Sequence, residues 1–213
     1  MSDTGVAQQG GASVRVVLAD YGAGNLRSLS SALARAGAEP LVTIDPDVVR
    51  EAPLAVIAGV GHVESAAAGL AREGLDEALL GRVAAARPVA GICVGMQLLF
   101  EESEEGGAGL GILAGPVRRL RARRVPHMGW NALSLTRPSA LLDGLDGVDV
   151  YFAHSYAAVP DDPEVGIATV DHDGPIVAAV EHGPVAGAQF HPERSGPVGA
   201  RVLENLLRWS RSV

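Results

Sequence analysis

Pro88-Val89-Ala90-Gly91-Ile92-Cys93-Val94-Gly95-Met96-Gln97-Leu98-Leu99-Phe100 changes its structural character within a few residues. Up to Ile92 it is an apolar run of strand length, suited to a strand buried on both faces of a parallel sheet. After Cys93, the apolar residues Met96, Leu98, Leu99 and Phe100 predict a helix. The join, Gly91-Ile92-Cys93-Val94-Gly95, has the G-x-nucleophile-x-G form of a nucleophile elbow, with cysteine where serine often stands. Glycines on both sides permit the sharp turn that pushes the side chain out. The helix N-terminus then favours a thiolate, the form that attacks. The plainer reading of Cys93 is a small buried apolar residue, the usual fate of a lone cysteine.

Strand and helix alternate outward from this point. Residues 14–19 form a β-branched apolar run that ends in Asp20-Tyr21-Gly22. A helix over 25–36 follows, closed by Gly37 at its C′ position. A strand over 41–44 leads to Asp45-Pro46, an N-cap with proline at the first helical position. Residues 54–58 read as another buried strand, running into Gly59-Val60-Gly61-His62, with helices over 63–72 and 74–86 beyond. The alternation predicts an α/β fold with an open, mainly parallel central sheet and flanking helices. From Gly115 the rhythm changes. Short strands near 116–121, 132–136, 148–153, 165–170 and 175–180, separated by Asp/Gly/Pro turns, predict a small antiparallel extension. Residues 185–190 return to the central sheet, and 198–210 form a closing helix. Residues 1–12 have little to bury and read as a flexible tail, and 13–213 as one domain.

Composition excludes several function classes. The 213 residues carry 17 Lys+Arg against 25 Asp+Glu, a net charge of -8, so nucleic acid is a poor partner. The single cysteine excludes an intramolecular disulfide and a CxxC metal site. No apolar run approaches the ~20 residues of a membrane helix. The first residues lack the basic and apolar regions of a secretory signal, which points to a cytoplasmic protein. Gly22-Ala23-Gly24-Asn25-Leu26-Arg27 starts like a dinucleotide fingerprint but has Arg27 at the third glycine. None of the six histidines forms H-x-x-x-H, and His172 and His182 fall in predicted turns. Neither a cofactor nor a metal is expected.

Two further segments bear on Cys93. Gln189-Phe190-His191-Pro192-Glu193 follows an apolar run, so His191 stands just past a strand's C-terminal end, where open α/β sheets bind ligands. His191 can take the thiol proton, and Glu193 can hold the imidazole in the right tautomer. Without an elbow at the same edge, His-Pro-Glu would read as a surface turn. Ala58-Gly59-Val60-Gly61-His62 ends another buried strand. Its glycines let backbone N–H groups approach a substrate oxygen. With the Val94 N–H, Val60 and Gly61 predict an oxyanion hole, worth ~3–4 kcal/mol per donor. The alternative is an ordinary strand-to-helix turn.

Together these segments resemble the class I, triad-type glutamine amidotransferases. With Asp20-Tyr21-Gly22-Ala23-Gly24-Asn25, Val125-Pro126-His127-Met128-Gly129-Trp130-Asn131 and Tyr151-Phe152-Ala153-His154-Ser155-Tyr156, they are similar more narrowly to the glutaminase subunits of imidazole glycerol phosphate synthase. The resemblance covers nearly the whole chain after the tail. It implies that Cys93 attacks the side-chain amide of glutamine, that His191 moves the protons, and that Glu193 orients His191. It also implies that Gly59, Gln97, Glu105, Ser155 and Tyr156 bind the substrate. Glu105 has a second reading, as part of a solvated acidic run over 101–105. The implied partner is a (β/α)₈-barrel cyclase subunit that receives the ammonia and makes imidazole glycerol phosphate and aminoimidazole carboxamide ribotide, in histidine biosynthesis.

The sequence departs from the family twice. Ala58 replaces the usual proline, which bears on the stiffness of the oxyanion loop, and Arg194 replaces a frequent lysine. The glutaminase subunit of pyridoxal phosphate synthase has the same triad, but not the Pro126–Asn131 stretch. A scaffold that only binds a partner would not need an intact triad. A stand-alone cysteine hydrolase or redox sensor would not explain Asn25 and Trp130, both on predicted loops. A partner surface is expected at the C-terminal edge of the sheet, around Asn25, Arg123, Arg124, Trp130 and Tyr151. The basic stretch Arg118, Arg119, Arg121, Arg123 and Arg124 reads either as part of that docking face or as a solvated edge strand.

Overall fold

Residues 13–213 are described by a computed structural model; the predicted tail, 1–12, lies outside them. The first half contains β1 (Val14–Ala19), α1 (Leu26–Arg35), β2 (Ala38–Thr43), α2 (Pro46–Glu51), β3 (Leu54–Gly59), α3 (Val63–Arg72), α4 (Leu75–Ala84), β4 (Val89–Cys93) and α5 (Val94–Gln97). The second half contains β5 (Glu102–Ser103), β6 (Pro116–Arg119), β7 (His127–Ala132), β8 (Ser134–Leu135), β9 (Asp149–His154), β10 (Tyr156–Ala158), β11 (Gly166–Asp171), β12 (Pro175–His182), β13 (Val185–Ala188) and α6 (Gly196–Trp209). Among these, no helix is long and apolar enough to cross a membrane.

The central sheet runs β2-β1-β3-β4-β13-β12-β11-β8. Its first five strands are mutually parallel, and β12, β11 and β8 continue it antiparallel. The strands β3, β4 and β13 are buried along their whole length, as continuous apolar runs require when both faces are covered. Leu26, Leu29, Ala32 and Leu33 make the buried face of α1, at the three-and-four spacing of an amphipathic helix. Gly37, at φ 92°, closes α1. The Asp45 carboxylate caps α2 by accepting from the N–H groups of Asp47 and Val48, with Pro46 at the first helical position. The wholly buried Arg82 donates to the carbonyls of Val49, Arg50, Ala52 and Pro88, tying the end of α2 to the start of β4.

Several elements differ from the sequence expectation. The second strand begins at Ala38, directly after Gly37, and pairs with β1 over six residues. The helix after Cys93 stops at Gln97. Leu98, Leu99 and Phe100 are wholly buried, but their carbonyls accept from the N–H groups of residues 110–113 instead of from a continuing helix. An apolar run reports burial, and burial alone does not separate a helix from a packed turn. The antiparallel extension is not one unit. Part of it prolongs the central sheet, while β10-β6-β5 and β7-β9 form separate small sheets. Trp130 lies within β7 and not on a loop, and His182 ends β12 and not a turn. β6 has a neighbour on each side, but β5 reaches only Pro116 and Val117, so Arg118 and Arg119 pair with β10 alone and are exposed. Arg118 pairs with Glu102, and the Arg119 N–H donates to Glu104.

Candidate active site

Cys93 is the last residue of β4 and the N-cap of α5, at φ 55° and ψ -113°. Side-chain-bearing residues rarely adopt that conformation, and such strain gathers at functional sites. Its flanking glycines answer to close approach. A Cβ on Gly91 would lie 2.4 Å from the Gly95 carbonyl oxygen, and one on Gly95 would lie 2.0 Å from that of Ile57. The elbow is therefore folded tightly on itself and against β3. Cys93 lines a cleft shared with Val60, Gly61, Val94, Gln97, Glu105, Ser155 and Tyr156.

His191 arrives from β13, the strand beside β4. Its backbone N–H donates to Tyr151 O (2.9 Å). Ser195 Oγ donates to His191 O (2.7 Å) and accepts from the Tyr151 N–H (3.0 Å), fixing this corner to β9. His191 Nδ1 lies 2.9 Å from Glu193 Oε1, with both side chains nearly buried. Burial disfavours a charged His191. Hydrogen bonds to Cys93 and Glu193, and the charges of both, outweigh it and hold the imidazole up at about 10.

At the other end of the cleft, Gln97 Nε2 donates to Tyr156 O (2.8 Å) and to Gln189 Oε1 (2.9 Å). Gln189 Nε2 in turn reaches Cys93 Sγ (3.8 Å). Glu105 Oε1 lies 2.8 Å from His62 Nδ1, and Oε2 accepts from the Val63 N–H at 3.4 Å. Its side chain is only 12% exposed, so the solvated reading of the acidic run fails at Glu105. Gly59 stands apart from the other expected substrate contacts. It is buried at the end of β3, in register with Cys93, and a Cβ there would fall 1.7 Å from the Tyr21 hydroxyl. That hydroxyl donates to Ala58 O (3.0 Å), so Tyr21 holds the strand end where the family usually has proline. Gly61 has φ 97°, a value glycine adopts without strain, and Val60 beside it is exposed.

The expected partner residues divide into groups. Trp130 is 57% exposed and pairs across strands with Tyr151, ring edge to face at 6.1 Å. Arg194 lies over the other partner of that pair, 4.2 Å from the Tyr151 ring centroid. Arg123 is bound to Asp173 through its backbone N–H and guanidinium, and Arg124 O faces His172 Nε2 at 2.7 Å. Asn25 caps α1 through its side chain.

His127, His154 and Gln189 carry no local sequence signal that assigns them a role. His127 and His154 face each other in register on β7 and β9, with Nδ1 of the first 2.9 Å from Nε2 of the second. Burial lowers both to about 4, so they stand neutral. Both lie in segments already notable for their histidines, but only strand pairing joins residues 27 positions apart. No group of metal-binding side chains occurs among the described residues.

Residues 17–209 match the family model described as "Glutamine amidotransferase class-I". The chain is 47% identical to an imidazole glycerol phosphate synthase subunit HisH of Mycolicibacterium paratuberculosis, over 90% of this chain and 96% of the relative. It is 46% identical to the HisH of Caulobacter vibrioides, over 91% and 98%. A solved structure of PurLQS from Thermotoga maritima shares the fold at a TM-score of 0.75 and 21% identity, over 93% of this chain and 99% of that one.

Proposed function

The chain belongs to the class I glutamine amidotransferases and, within them, to the HisH subunits of imidazole glycerol phosphate synthase, and from that premise we propose that it releases ammonia from glutamine with Cys93, His191 and Glu193. In this reading Cys93 Sγ, as the thiolate, adds to the γ-amide carbon. His191 gives its proton to the departing ammonia, leaving a γ-glutamyl thioester on Cys93. The same imidazole then takes a proton from water as the hydroxyl attacks the thioester. Glutamate leaves, and the proton returns to the Cys93–His191 pair. Glu193, against Nδ1, keeps Nε2 toward the reacting atoms. The oxyanion is held by N–H groups of Val94 and of the Val60–Gly61 segment. Gly59, Gln97, Glu105, Ser155 and Tyr156 bind the substrate's polar ends.

One observation carries the reading: the strained Cys93 elbow ends the strand beside the one that delivers His191, a nearly buried histidine bonded to the Glu193 carboxylate and held up in part by Cys93. The ammonia passes to a (β/α)₈ cyclase subunit. There it is used to form imidazole glycerol phosphate and aminoimidazole carboxamide ribotide, in cytoplasmic histidine biosynthesis. Trp130, Tyr151, Asn25, Arg123 and Arg124 are the proposed contacts to that subunit. The test is glutamine-dependent cyclase turnover after mixing this chain with a (β/α)₈ cyclase. Turnover with ammonia salts but none with glutamine would refute it.

A further inference from the structure

We propose that Gln189 is a further catalytic residue of this site, its amide N–H donating to the Cys93 sulfur and favouring the thiolate, with Gln97, Tyr156 and the His127–His154 pair holding that amide in orientation. This deepens the proposed function and rests on Cys93 being its nucleophile.

A carboxamide has one donor end and one acceptor end, and only the donor end can stabilise a thiolate. The wholly buried Gln189 presents Oε1 to Gln97 and Nε2 to Cys93 Sγ, at 2.9 and 3.8 Å. The longer distance suits the larger sulfur atom. Gln97 cannot be reversed, because its Nε2 also lies 2.8 Å from the Tyr156 carbonyl, which only accepts. A donor from Gln97 requires an acceptor on Gln189, and that leaves the N–H of Gln189 toward the sulfur.

The Tyr156 carbonyl is fixed from its other side. His154 Nδ1 lies 2.8 Å from it and must donate. The neutral His154 then accepts at Nε2, so His127 donates through Nδ1. His127 Nε2 is left to accept from Asn131 Nδ2 at 3.2 Å. One backbone carbonyl thus sets the direction of every bond from β7 to the nucleophile. An N–H aimed at sulfur stabilises the charged form over the neutral one. The other titratable groups around Cys93 are His191 with Glu193 after β13, Tyr21 after β1, Glu105 with His62 at the cleft, and His154 on β9.

Because the chain has one cysteine, alkylation by iodoacetamide reports on Cys93 alone. Its rate is measured across about pH 5 to 9 for the full chain and for Gln189→Met, His127→Asn and His127→Leu. Gln189→Met keeps the length and loses the donor. It is expected to slow alkylation about three- to tenfold near neutral pH, the range set by one net hydrogen bond, with the difference closing at alkaline pH. His127→Asn keeps a donor near the Nδ1 position and keeps the wild-type profile, whereas His127→Leu slows alkylation in the same pH-dependent way. A Gln189→Met profile that superimposes on wild type, or a slowing that persists at alkaline pH, overturns the proposal. If Gln189→Met does not fold, equal rates for His127→Asn and His127→Leu overturn it. The assay uses neither glutamine nor the cyclase, so its failure is separate from failure of the glutaminase reading.

Discussion

Arg194 lies over the ring of Tyr151, 4.2 Å from its centroid, and joins the residue after Glu193 to the strand that carries the cross-strand partner of Trp130. A planar guanidinium stacks on an aromatic face in a way that a compact ammonium does not. Arginine at this position therefore does more than preserve a charge. It links an exposed aromatic face to the corner that holds the proposed triad.

Trp130 is more than half exposed and touches Tyr151 at its ring edge, so the fold draws little from it. Trp130→Ala is expected to leave the unfolding free energy within ~0.5 kcal/mol of wild type. Binding to the cyclase is expected to weaken by about tenfold or more, as loss of an aromatic anchor does. Titration calorimetry and urea unfolding on the same preparation separate the two effects.

Stability should fall on both sides of about pH 6.5. His127 and His154 are lowered from 6.5 to about 4 by burial, so the unfolded chain binds their protons first. Their contribution is complete above 6.5 and is lost as the pH falls toward 4. His172 stacks on His127, and His191 lies near His154. His191 has the opposite sign. Held up at about 10, it contributes fully below 6.5, and that contribution is lost as the pH rises through about 10. Urea midpoints against pH should show both limbs, and His191→Ala should flatten the alkaline one while changing the acid one far less, through the minor effect of His191 on His154.

Arg82 gathers four backbone carbonyls from two segments, three of them at the end of α2. Burial, with Arg87 nearby, lowers its guanidinium to about 10, which still leaves it charged at neutral pH. Arg82→Met fills similar space but strands those carbonyls. A loss of about 3 kcal/mol in unfolding free energy is expected, read by urea denaturation. A loss under about 0.5 kcal/mol, the range of ordinary surface substitutions, would contradict the role given to Arg82.

The isolated chain is expected to be a poor glutaminase that the cyclase and its nucleotide switch on. Gly61 allows the Val60–Gly61 peptide to turn either a carbonyl or an N–H toward the substrate. One lost oxyanion donor costs ~10²–10³ in rate. Ala58→Pro should lower the basal rate further by stiffening the loop, measured as ammonia release with and without partner. Full activity in the isolated wild-type chain would contradict the gating.

The parallel half of the sheet was legible because its strands are continuous apolar runs and its helices have caps: Asp45-Pro46 opens α2 and Gly37 closes α1. Cys93, His191 and Glu193 were legible because local turn chemistry marks them, at G-x-C-x-G and His-Pro-Glu. The second half was less so. β7 hides in a stretch that buries only His127 and includes Gly129, and β6 gained neighbours that no local signal announces. The contacts of Gln97 with Gln189, and of His127 with His154, depend on strand order and register. Those are tertiary facts, and no spacing in the chain encodes them.

The most direct test of the account is ammonia release from glutamine by Cys93→Ala in complex with a (β/α)₈ cyclase and its nucleotide. The substitution replaces one small residue by another at the elbow, so the fold and the complex should survive. The account predicts no glutamine-dependent ammonia or cyclase product, with turnover from added ammonium salts retained. Continued release of ammonia from glutamine by the Cys93→Ala complex would contradict it.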